Sequence, residues 1–72
     1  STRWNIMVDN VDLAVKAISK NNSFELIDLI NNRITVESTL DVSIKHINEM
    51  LIGINIYNIS KESNLIKYFQ ND

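Results

Sequence analysis

Along most of the chain, apolar residues return at spacings of three and four, the pattern of helices laid against a core. The longest such stretch covers residues 35–59, where Val36, Leu40, Ser43, Ile44, Ile47, Leu51 and Ile54 fall in one stripe. Asp41, Lys45, Asn48, Glu49 and Asn55 fall mostly opposite. This predicts a long central helix in which Asp41 and Lys45 form an i, i+4 pair worth a few tenths of a kcal/mol. In its second half Ile52 and Ile56 point away from the stripe, flanked by Met50 and Tyr57, so this part of the predicted helix is apolar nearly all round and needs a cover.

Residues 2–20 read as an amphipathic helix. Trp4, Met7, Val8, Val11, Ala14, Val15 and Ile18 share one face, and Asp9, Asp12, Lys16 and Lys20 the other, with acids early and lysines late as the helix dipole favours. Trp4 reads as the anchor of the first turn. Asn21, Asn22 and Ser23 break the pattern, because such side chains compete for backbone hydrogen bonds. With Asn22 as cap and Glu25 in the first turn, a second helix then lines up Phe24, Ile27, Ile30 and Ile34, with Leu26 and Leu29 widening the face. Thr35 and Ser38 are candidate caps for the central helix, and Ser60 caps a last short helix over residues 61–70. The alternation at Ile34 and Val36, and again at Ile52, Ile54 and Ile56, also suits strands. It ranks second, because proline is absent and the single glycine, Gly53, does not stand where a hairpin would turn. The expectation is one all-α domain over residues 1–72, a small bundle of about four helices around a long central one.

Composition narrows the chemistry. Seventy-two residues are close to the lower size at which a core suffices alone, and without cysteine the stabilisation must come from packing. One histidine and no thiolate cannot assemble a zinc site. The longest apolar runs fall far short of the ~20 residues that span a bilayer, so a soluble cytoplasmic protein with no membrane contact is expected. A net charge of −2 argues against a dedicated nucleic-acid binder, whose affinity comes from clustered cations. Arg3, Lys16, Lys20 and Arg33 are the candidates for direct DNA contact, and Lys16, Lys20 and Arg33 read more simply as a solvated face. His46 with Asp41 and Glu49 resembles a base with orienting acids, but no nucleophile, phosphate loop or second ligand accompanies them. The expectation is a protein without catalytic residues, cofactor or metal.

The run from Phe24 to Asn32, the Ser/Thr-capped segment carrying Lys45, His46, Glu49, Met50 and Leu51, Tyr57 near its end, and Ile66-Lys67-Tyr68-Phe69 together resemble the Hha/YmoA family of small bacterial gene-expression modulators. That resemblance, which covers roughly residue 23 onward, implies a helical protein that engages the nucleoid protein H-NS. His46 matches a histidine the family uses for that contact, and Lys45 stands where the family has an aspartate. A second similarity, in size and composition, is to the small phage protein encoded beside the UvsW recombination helicase. The function expected is that of a non-enzymatic adaptor, monomeric or weakly dimeric, that binds a nucleoid-associated or DNA-processing protein through its central helix. The alternatives are an accessory protein of a recombination helicase and a weak direct DNA binder. Ile52 and Ile56 would supply apolar contact; Asp41, Lys45, His46 and Glu49 would supply orientation.

Overall fold

In the computed structural model, which describes residues 1–62, the chain runs β1(Thr2–Val8), α1(Val11–Ser19), β2(Phe24–Ile30), β3(Arg33–Ser38), α2(Ile44–Met50), β4(Ile56–Lys61). Four antiparallel strands form one sheet in the order β2-β3-β1-β4. The all-α bundle expected from the helical spacing is therefore overturned. Element order and strand order together make the β-α-β-β-α-β, split βαβ arrangement known as ferredoxin-like.

The first correction is in β1. Thr2, Trp4, Ile6 and Val8 are buried while Arg3 and Met7 are exposed, the period of two that places alternate residues on opposite faces. Trp4, Met7, Val8 and Val11 also satisfy helical spacing, so the short segment fits both periods. The helix starts only after it. Asn10 caps α1 by accepting the Leu13 N–H at 3.1 Å, and Ala14 and Ile18 are its buried residues.

The second correction is the hairpin between β2 and β3, where a helix was expected. Ile30 pairs with Arg33, leaving Asn31 and Asn32 as the turn. Asn31 adopts φ 53°, a left-handed conformation that asparagine tolerates better than other residues with a Cβ, so the turn forms without glycine. Asn32 then fixes the hairpin to β1. Its side-chain amide donates to the Val8 carbonyl at 2.9 Å, and its carbonyl accepts the Val8 N–H at 3.1 Å.

The expected central helix over residues 35–59 is divided among β3, α2 and β4. Neither Thr35 nor Ser38 caps a helix, since both lie in β3; the N-cap of the short α2 is Ser43, whose N–H donates to His46 Nδ1 at 2.9 Å. Asp41 precedes α2, so it has no i, i+4 helical relation to Lys45. Gly53, at φ 84°, reverses the chain between α2 and β4. Ser60 and Lys61 belong to β4, Glu62 follows it without helix, and residues 63–70 of the expected last helix lie outside the described residues.

Trp4, Ile6 and Val8 share a face with Val36 and Ile34, the β3 partners of Trp4 and Ile6, and form one core with Ala14 and Ile18 of α1 and Ile47 and Leu51 at α2. Both helices therefore lie on this side of the sheet. Among the described residues no helix lies on the opposite face. Its register sets Glu25, Glu37 and Arg3 in one row across β2, β3 and β1. Asp28, Thr35, Asn5 and Ser60 form the next row, and Ile30, Arg33, Met7 and Asn58 the third. Thr35 Oγ1 donates to Asn5 Oδ1 at 2.7 Å across that face.

Candidate protein-binding groove

On the helix side, an open groove of about 610 Å³ runs between the second half of α1 and the connection from α2 to β4. Leu13, Lys16, Ala17 and Lys20 come from α1, and Met50, Ile52, Gly53 and Ile54 form the other wall. The geometry follows from the local sequence. On α1, with Ala14 and Ile18 turned to the core, residues 13, 16, 17 and 20 at spacings of three and four line the flank beside the groove. On the other wall, Gly53 turns the chain so that Ile52 stands 85% exposed while Leu51, one residue earlier, is buried. Among the described residues Lys16 and Lys20 are the only charged side chains in the lining.

A second recess of about 360 Å³ adjoins the first, sharing Asn21 and Met50 with it. It is lined on one side by Thr39, Asp41 and Val42 and on the other by His46 and Glu49 of α2. The Thr39 hydroxyl donates to Asp41 Oδ1, and this bond, followed by one from the Asp41 backbone, holds the carboxyl below the usual aspartate value; His46 adds a smaller attraction. A depressed carboxyl contributes stability that is present above its unfolded-state pKa and is lost as pH falls through its folded value. Thr39→Val should therefore move the Asp41 titration midpoint upward, as read from its side-chain carboxyl shift by NMR. An unchanged midpoint would show that the hydroxyl does not set it.

The residues named from sequence thus separate. Asp41, His46 and Glu49 are brought together in the smaller recess, and Ile52 joins Lys16 and Lys20 in the larger one. Lys45 is exposed on α2 and lines neither. Ile56 pairs with Val8 and packs half-buried against the core. Arg3 and Arg33 lie in different rows of the open face, away from Lys16 and Lys20, so the four candidate cations make no common patch for a phosphate backbone. The open-face positions of β1 and β3 are Arg3, Asn5, Met7, Arg33, Thr35 and Glu37, none of them aromatic, so these strands carry no aromatic platform for stacked bases. Trp4 is buried in the core.

Leu13 and Met50 were not read as part of one site. The signal in Leu13 was its place off the buried stripe of α1, the same irregularity that marks Ile52. The helix order that carried the family resemblance is not present in the described residues, where Phe24–Ile30 is a strand. No helix among the described residues is long and apolar enough to cross a membrane. No family model, curated protein or solved structure matches the chain.

Proposed function

We propose that this chain is a non-enzymatic adaptor that holds a partner protein in the groove beside α1. The observation that carries the reading is the joining of apolar walls, Leu13, Ala17, Met50, Ile52 and Ile54, with two lysines and, among the described residues, no carboxylate in one concave surface of a chain whose net charge is −2. Apolar side chains supply the buried contact and the flanking charges select the partner and its orientation. The matching ligand is an apolar segment bearing acidic residues near Lys16 and Lys20. A basic residue at its other end would meet Asp41 and Glu49 in the adjoining recess. A nucleoid-associated or DNA-processing protein, the class implied by the sequence resemblance, is the first natural partner to test.

The experiment is an NMR titration of the full chain with a synthetic amphipathic peptide carrying acidic residues, against a control with the same apolar face and basic residues. Shifts confined to residues 13–22 and 50–54, at least several-fold weaker binding of the basic peptide, and loss of binding in Ile52→Asp with an unchanged Tm are expected. Ile52 tolerates the charge because it is exposed in the free protein. Equal binding of both peptides, or shifts centred on the open sheet face, would overturn the reading.

A further inference from the structure

The strand β2 is an outer strand, and four of its seven residues, Leu26, Ile27, Leu29 and Ile30, are large aliphatics left 36–49% exposed. An apolar edge of this kind offers unpaired backbone groups to another chain. We propose that it pairs antiparallel with β2 of a second copy, about a two-fold axis between Ile27 and Asp28, so that two four-stranded sheets become one of eight.

The register follows from which face each residue occupies. Phe24, Leu26 and Leu29 are paired with Ser38, Val36 and Ile34 and so lie on the helix face; Glu25, Asp28 and Ile30 are paired with Glu37, Thr35 and Arg33 and lie on the open face. The irregularity between Leu26 and Asp28 causes this change of alternation. Residues directly opposite in an antiparallel pair share a face. The proposed axis meets that condition by setting Leu26 against the partner's Leu29 on the helix face and Glu25 against the partner's Ile30 on the open face, each contact occurring twice. A slip of one residue opposes unlike faces, and the nearest register that restores them sets Glu25 against the partner's Asp28, two like charges.

Charge selects the same arrangement. Within one copy Glu25 stands directly opposite Glu37, an unfavourable cross-strand pair. In the dimer the next residue along that row, beyond the partner's Ile30, is the partner's Arg33, because Ile30 pairs with Arg33. Two strand spacings place its backbone about 10 Å from that of Glu25, a distance the two long side chains span together. Within one copy Arg3 stands beyond Glu37 in that row, and the partner's Arg33 adds a second cation on the Glu25 side. The aliphatic patch is on the order of 300 Å² per copy, below the ~800 Å² per partner of a standard interface, so the dimer is reversible and concentration-dependent.

The chain has no cysteine, so introduced thiols report the register directly. Leu26→Cys and Leu29→Cys chains mixed under mild oxidation should form a disulfide-linked heterodimer several-fold faster than either variant alone. A residue 26 and its own symmetry mate are about 10 Å apart along the strand direction, too far for a disulfide. In sedimentation, Arg33→Glu should weaken self-association about tenfold, and adding Glu25→Arg to it should restore the wild-type constant. Equal cross-linking of single variants and mixture, no recovery in the charge-exchanged chain, or a monomer at every concentration up to the millimolar range would overturn the proposal.

Discussion

Trp4→Ala is expected to lower the free energy of unfolding by about 3–5 kcal/mol, a large share of the roughly 5–15 kcal/mol that holds a typical domain. The ring is 3% exposed on β1, which lies inside the sheet between β3 and β4. Its Nε1 donates to Ser38 Oγ at 3.0 Å, and Lys61 Nζ lies 5.4 Å from the ring centroid. Alanine would remove the packing, the hydrogen bond and the cation–π contact together. Trp4→Phe separates them: it keeps most of the ring and should lose about 1 kcal/mol with the hydrogen bond. Urea titrations of both variants check this, and a loss below about 1 kcal/mol in Trp4→Ala would place the ring outside the core.

Ile47→Ala is expected to cost about 2–5 kcal/mol, and Leu40→Ala less than about 0.5 kcal/mol. Both residues stand in the stripe that the helical reading of residues 35–59 would bury together. In the fold Ile47 is fully buried, whereas Leu40, in the connection between β3 and α2, is 79% exposed. Comparable losses in the two variants would support the single stripe over the divided one.

Much of this difference between sequence and structure comes from short elements. In the seven residues of β1, Trp4 and Val8 fit both a period of two and a helical spacing, and the helical spacing continues into α1. The end of α1 and its buried positions Ala14 and Ile18 are legible in the sequence, whereas its start at Val11 is not, because the helical reading begins at residue 2. In β2 the extra residue at the Leu26–Asp28 irregularity broke the alternation that marks a strand, and the apolar residues on both its faces looked like a wide helical face. The absence of Gly-containing hairpin turns weighed against a sheet, yet Asn31 provides the positive φ that such a turn requires. Ile34 and Val36 carry the strand alternation in the sequence, and both are buried in β3.

The candidate site was legible one residue at a time and not as a surface. Ile52 leaves the stripe and reads as a partner contact, whereas Lys16 and Lys20 read as candidates for DNA contact or as a solvated face and not as part of the same surface. Their meeting in one groove depends on the sheet order, which carries the α2–β4 connection back beside α1. Pairing between strands distant in sequence leaves no local periodic trace.

That sheet order is tested most directly by a proton NOESY spectrum of the full chain. Ile6 pairs with Ile34 on one side and Ile59 on the other, so backbone-proton contacts from Ile6 to both are expected, with sequential helical contacts between residues 35 and 62 confined to residues 44–50. An unbroken run of i to i+3 contacts from residue 35 to residue 59, with none joining Ile6 to Ile34, would contradict the fold and with it the groove.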